Sequence, residues 1–112
     1  TKEVKTMVSH TVAEDVLTVN LKGEIDHHSV ADFRSEIDAL IGRYAPIKTV
    51  LDFGSVTFCD SSGIALVVGR YKKMADHGGI LELAKVPRKI GVIFSMAGID
   101  RMVRMTEQEK RT

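Results

Sequence analysis

Val56-Thr57-Phe58-Cys59-Asp60-Ser61-Ser62-Gly63 is the stretch on which the reading of this chain turns. Before it lies the short apolar run Val50-Leu51-Asp52-Phe53, and after it begins a long segment with helical periodicity. An acid, two adjacent hydroxyls and a glycine therefore stand where a loop becomes a helix. The first turn of a helix carries unpaired backbone N–H groups and the positive end of the helix dipole. Such a place suits a cap, a phosphate or a nucleophile. The residues alone leave all three open.

Working outward, residues 47–53 read as a short strand rich in β-branched and large apolar side chains. Following the junction, Ile64, Val67, Val68, Tyr71, Met74 and Ala75 recur at helical spacing. Arg70, Lys72, Lys73 and Asp76 fall on the other side, the pattern of a solvated face. Gly78-Gly79 ends this helix, since glycine accepts the left-handed conformation after a helix. Upstream, Val30, Phe33, Ile37, Leu40 and Ile41 form a stripe that predicts a helix over 30–43, closed by Gly42 and Pro46. Ser29 with Asp32 reads as a variant capping box at its start, after a polar loop over 23–29.

The N-terminal part holds two alternating pieces, Val4, Thr6 and Val8, then Leu17, Val19 and Leu21, joined as a hairpin through Ala13-Glu14-Asp15. Beyond the second helix, residues 80–84 form a strand. Pro87 suits the first position of a third helix that ends near Gly98 and carries Ile90, Ile93 and Phe94 inward. Met102-Val103-Arg104-Met105 closes the pattern as a strand, and 107–112 is a polar tail or a helical stub. Met96, Met102 and Met105 lie in apolar segments and read as core filler. The expected order is ββαβαβαβ, an α/β fold in which helices pack on a mixed β-sheet.

The 112 residues suit one domain over 1–112, with 44% apolar residues to fill its core. Sixteen Lys and Arg against fifteen Asp and Glu leave a formal charge of +1, which argues against a nucleic-acid or anionic-membrane partner. No Trp is present and aromatics are few, so a base-stacking surface is not expected. The lone Cys59 cannot form an internal disulfide, and a cytoplasmic address follows as the expectation.

Catalytic motifs are sparse. There is no dinucleotide-type glycine fingerprint, no phosphate-cradling glycine–lysine loop and no nucleophile elbow. His27 and His28 are adjacent, so they diverge on a strand or a helix instead of forming an i, i+4 ligand pair; no metal or cofactor is expected. A hydrolase triad from Ser61, His27 or His28 and Asp26 can be drawn, but nothing in the chain supplies an oxyanion loop. Capping of the second helix needs only one of Asp60, Ser61 and Ser62. Capping leaves the surplus hydroxyl unexplained; a serine at a helix N-terminus is a favourable site for a phosphate, whose added charge of about −1.5 to −2 would meet the helix dipole, so capping alone and phosphorylation both stay open.

Three segments then point the same way: Gly23-Glu24-Ile25-Asp26-His27-His28, Phe58-Cys59-Asp60-Ser61-Ser62-Gly63 and Gly69-Arg70-Tyr71-Lys72. Together they resemble the STAS-domain anti-sigma factor antagonists over essentially the whole chain. The His-His pair points to the sporulation branch over the general stress-response branch. The resemblance implies a non-enzymatic, monomeric protein that in its unphosphorylated form binds an anti-sigma factor serine kinase and so frees a sigma factor. It implies phosphorylation of Ser61 by that kinase with ATP, weakening the complex, and reversal by a PP2C-type serine phosphatase. Asp26 matches a position needed around the phosphorylation site, and Ser29 one that often caps the first helix. Cys59 replaces a common Met and is read as structural. The implied partner surface comprises Glu24, Asp26, His27, Asp60, Ser61, Ser62, Gly63 and Ile64. Within it, Ser62 is the expected cap, and Gly63 is expected to keep the surface open for close approach. A STAS module that senses a small ligand or nucleotide is the rival reading.

Overall fold

Strand β2 (Val16–Ile25) buries Leu17, Val19, Leu21 and Ile25, and β3 (Lys48–Cys59) buries Thr49, Leu51, Phe53, Val56 and Cys59. The structure, a computed structural model, describes residues 7–109. β2 and β3 run parallel, so the chain between them must cross over, which it does through α1 (Val30–Tyr44). β1 (Val8–Ala13) pairs antiparallel with β2, while β4 (Ile80–Val86) and β5 (Arg104–Glu107) extend the parallel part. The five strands lie in the order β1-β2-β3-β4-β5. Val4 and Thr6, expected in the first strand, lie outside the described residues.

Register explains where the core lies. Leu17, Thr49 and Leu81 form one row across the sheet, and Val19, Leu51 and Leu83 the next. Both rows are buried, whereas the opposite face carries the half-buried Thr18, Asn20, Val50 and Asp52 and the Lys48–Glu82 ion pair at 3.1 Å. The helices therefore cover one face only. Phe33, Ile37 and Ile41 come from α1, and Leu66, Val67 and Met74 from α2 (Ser62–Asp76). Ile90 and Phe94 come from α3 (Arg88–Met96), and Ile99 from α4 (Ile99–Met102). Phe94 packs edge-on against Phe53, with ring centroids 5.5 Å apart.

Several expectations are corrected. β3 runs on through Gly54 to Cys59, and Gly23–Ile25 belongs to β2 instead of a polar loop. Pairs Lys22↔Ser55, Gly23↔Val56, Glu24↔Phe58 and Ile25↔Cys59 continue the ladder, with register shifts that absorb the glycines as bulges do. The third helix divides at Gly98, whose φ of +81° breaks the helical path. Met102 thus ends α4, and the last strand starts at Arg104, giving ββαβαβααβ.

Helix α2 contacts α1 as well as the sheet and α4, so its buried arc is wider than a single stripe. Leu66 and Arg70 are buried, Ile64, Val68 and Tyr71 half-buried, and Ala75 exposed. Arg70, expected in solvent, stands 2.8 Å from Asp38 of α1 through its Nε. Met96 is 84% exposed and Met102 36%, so neither fills the core; Met105 is half-buried. In the short α3, Ile90 and Phe94 already occupy the inward i, i+4 positions, and Met96 projects away from them.

The β1–β2 turn has positive φ at both Glu14 (52°) and Asp15 (65°), as a two-residue turn of matching twist requires. Glu14 is poorly suited to that region, while Asp15 tolerates it less well than glycine would. Replacing Glu14-Asp15 by Asn-Gly is expected to raise the unfolding free energy by about 1 kcal/mol, since left-handed strain of roughly 1–2 kcal/mol per residue is relieved against some glycine entropy. Urea unfolding of the two chains measures the difference.

Candidate functional site

Parallel pairing brings the ends of β2 and β3 out side by side. Ile25 stands opposite Cys59, and the Asp60 N–H donates to the Ile25 carbonyl at 3.1 Å. The turns at 26–29 and 60–61 consequently share one edge of the sheet, the carboxyl edge where ligands of open α/β sheets collect.

The two turns are built alike. Asp26 Oδ1 accepts the N–H groups of His28 and Ser29, each at 2.9 Å. Asp60 Oδ1 accepts the Ser62 N–H at 2.8 Å. Each aspartate thus takes up orphan donors at a helix start, as short acceptors at turns do. The cap of α2 is therefore Asp60 and not Ser62, because the carboxylate reaches that N–H two residues on. Ser61 makes no side-chain capping bond and is exposed.

Ser29 departs from the capping-box expectation. Its hydroxyl donates to the Glu24 carbonyl at 2.7 Å and accepts the Asp26 N–H at 3.0 Å, tying the turn to β2 in place of the helix. The N–H of Ser29 holds the Asp26 carboxyl below its ordinary value, assisted by the N–H of His28. His27 and His28 lie in this turn, both exposed, with ring centroids 4.0 Å apart; a turn permits the contact that neither strand nor helix geometry would.

Gly63 is buried, against the expectation that it keeps an outer surface open. A Cβ there would collide with Cys59 Sγ, with the Phe94 ring at ordinary contact distance. The glycine serves internal packing. Ile64 beside it is half-buried against the core. Cys59 itself is buried, and desolvation, with the Asp60 charge, pushes its thiol up to about 11. It is protonated at neutral pH and acts as an apolar filler.

Glu24, Asp26, His27, Asp60, Ser61, Ser62, Gly63 and Ile64 are thus brought to one end of the sheet and the helix it feeds, with Gly63 buried and Ile64 packed partly against the core. Phe58 was absent from the expected surface. It is paired with Glu24 across the ladder and 49% exposed next to the junction. The strand that continues through 56–59 places it there, a continuation that the glycine and polar residues of that stretch mask in sequence.

The family model of the STAS domain matches residues 7–111. This chain belongs to the STAS-domain family. An anti-sigma F factor antagonist of Paenibacillus polymyxa is 32% identical over 94 residues, 84% of this chain and 80% of that one. An anti-sigma-B factor antagonist of Bacillus subtilis (strain 168) is 28% identical over 90 residues, 80% and 81% of the two chains. The STAS fold seen here also matches the anti-sigma factor antagonist SpoIIAA in its unphosphorylated form, with TM-score 0.75, 26% identity and 88% and 86% of the chains covered. The Bacillus SpoIIAA structure in the phosphorylated form matches with TM-score 0.68, 26% identity and 88% and 89% coverage.

Two expectations follow for this STAS domain. Gly63→Ala should destabilise the fold by about 1–3 kcal/mol through overpacking, and adding Cys59→Ala should recover part of that loss in denaturant melts. A full, uncoupled loss in the double variant would remove the Cys59 collision as the cause. Because the Asp26 pKa is depressed, its stabilising contribution is complete above the ordinary carboxylate pKa and is lost as pH falls through the lower folded value. The His28 and Ser29 amide resonances should therefore titrate together with a midpoint below the usual aspartate value, and Asp26→Asn should abolish that titration.

Proposed function

We propose that this STAS domain is an anti-sigma factor antagonist switched by phosphorylation of Ser61. The observation that carries the reading is the division of labour at the α2 start. Asp60 holds the helix cap, so the exposed Ser61 hydroxyl makes no capping bond among the described residues and is open to reaction. The relatives named as antagonists, and the phosphorylated and unphosphorylated forms of SpoIIAA, support the same reading.

In this proposal the unphosphorylated chain binds an anti-sigma factor that is also a serine kinase, and so releases a sigma factor in the cytoplasm. Glu24, Asp26, His27, Asp60, Ser61, Ser62 and Ile64 supply the contact edge. The kinase brings ATP; Ser61 Oγ attacks the γ-phosphorus, the bond to the ADP oxygen breaks, and the hydroxyl proton is passed to a base of the kinase. The phosphate, carrying about −1.5 to −2 charges, then stands on an edge that already holds Glu24, Asp26 and Asp60. Repulsion and desolvation at the packed partner weaken the complex. A penalty near 3 kcal/mol corresponds to more than a hundredfold, at ~1.4 kcal/mol per decade. Since the hydroxyl carries no capping bond, the backbone has no reason to move. A PP2C-type serine phosphatase restores the binding form by hydrolysis. The chain itself performs no catalysis and acts as a monomer.

The branch is a further question. His27-His28 favours the sporulation type, while the anti-sigma-B relative marks a general stress-response partner as the second reading. Binding to the two kinds of anti-sigma factor, measured in parallel, separates them.

Incubation with the cognate kinase and ATP should add one phosphate by intact mass. Ser61→Ala should abolish it, and Ser62→Ala should retain it. The reverse pattern moves the acceptor by one residue. The phosphorylated chain should bind the ADP-loaded kinase about a hundredfold more weakly, with Ser61→Asp reproducing part of that loss. Equal affinity of all three forms would falsify the electrostatic switch.

A further inference from the structure

One peptide unit at the sheet edge is held from both sides. The C=O of Ile25 and the N–H of Asp26 belong to the same planar group, so tilting one tilts the other. That C=O accepts the Asp60 N–H at 3.1 Å, and that N–H donates to Ser29 Oγ at 3.0 Å. Ser29 Oγ in turn donates to the Glu24 carbonyl at 2.7 Å, which fixes the hydroxyl against the end of β2. The Ser29 hydroxyl therefore sets the tilt of the plane on which the second turn hangs.

The two turns differ at one place. Three residues after Asp26 stands Ser29, and three residues after Asp60 stands Gly63. Both turns close with a backbone bond to the aspartate carbonyl, from the Ser29 N–H at 3.2 Å and from the Gly63 N–H at 3.0 Å. Glycine brings no hydroxyl to lock the second turn, and a side chain there would collide with Cys59 Sγ. The Asp60 N–H takes its anchor from β2 instead, through Ile25. Asp60 Oδ1 then holds the Ser62 N–H at 2.8 Å, so Ser61 lies between two anchored neighbours while its own side chain makes no capping bond. Its placement is inherited from the Ile25–Asp26 peptide, and through that peptide from Ser29.

We infer that Ser29 is a positioning residue for Ser61: its hydroxyl orients the Ile25–Asp26 peptide, and that peptide places the Ser61 turn for phosphoryl transfer. The inference rests on Ser61 being the acceptor, as proposed above. Ser29 takes no part in the chemistry; it is half-buried, with its hydroxyl turned to Glu24 and Asp26. Without that hydroxyl the Asp26 N–H loses its acceptor, and the peptide tilts to recover one from water, because leaving a donor unpaired costs more than the bond contributed. The anchor of Asp60 tilts with it. Attack by a hydroxyl on phosphorus is sensitive to such a displacement, since a misplacement of about 1 Å costs on the order of a hundredfold in rate.

The test compares the full wild-type chain with Ser29→Ala and Ser29→Thr as substrates of the cognate kinase and ATP. Ser29→Ala keeps the backbone N–H groups that Asp26 Oδ1 accepts, and so removes the hydroxyl alone. It should lower kcat about tenfold and change KM by no more than about twofold, the pattern of a misplaced reacting group in a complex that still forms. Ser29→Thr, which retains a hydroxyl, should recover most of kcat. In the free chains the Asp26, Asp60 and Ser61 amide resonances should shift in Ser29→Ala and return toward their wild-type positions in Ser29→Thr, while those of Leu51 and Leu83 in the core stay in place. All readings are made on folded protein, well below the unfolding midpoint of each chain, so a lower midpoint in Ser29→Ala does not enter them. If wild type is phosphorylated at Ser61 and Ser29→Ala matches its kcat within about twofold, the positioning role is overturned while the antagonist reading stands. A rise in KM alone would make Ser29 a docking residue and overturn the role as well, as would a fall in kcat with the Asp60 resonance unmoved. If wild type takes no phosphate on Ser61, both the inference and the reading beneath it fall.

Discussion

The parallel ladder between β2 and β3, carried through to Ile25 and Cys59, is the constraint on which the rest depends. Two strands that run the same way must both turn into helices at the same edge, and here the Asp60 N–H bonded to the Ile25 carbonyl ties the two exits together. Without those last paired residues the turns at Asp26 and Asp60 would be separate loops. With them, one edge of the sheet presents two aspartate-closed turns, the histidine pair and the free serine. The single-faced packing contributes as well, because helices confined to one side leave this edge accessible.

Within that edge, buried and exposed parts have separate duties. Asp26 and Asp60 accept backbone N–H groups and so define the turns. Cys59, Gly63 and Phe94 pack beneath the start of α2, where the absent side chain of Gly63 allows the helix to approach β3. This tight floor holds Ser61 on a rigid helix start and frees its hydroxyl from structural work. A modification at such a point changes charge without removing a bond that the fold needs.

Much of the architecture was legible from periodicity. The stripe from Val30 to Ile41, the alternation of Leu17, Val19 and Leu21, and the glycines after α2 specify their elements by local rules, and the structure agrees closely with each. The breaks were harder. Gly23 and Gly54 look like loop residues in a linear reading, but the neighbouring strand supplied hydrogen bonds that kept both inside the ladder. Arg70 looked solvated because helical periodicity allots one buried face, whereas a helix packed between the sheet and α1 has two. Met96 looked like core because hydrophobicity alone does not tell which side of a short helix is inward.

At the organising junction the same boundary can be drawn. By itself the sequence determined that an acid, two hydroxyls and a glycine stand at a strand-to-helix turn, because residue types and spacing act locally. It did not determine the role of each. Asp60 became the cap, Ser61 the free hydroxyl and Gly63 a buried packing position only through tertiary structure. The physical reason is that hydrogen-bond partners and packing neighbours come from other elements: Ile25 of β2 fixes the turn's path, and Cys59 at the end of β3 occupies the space that a side chain at Gly63 would need.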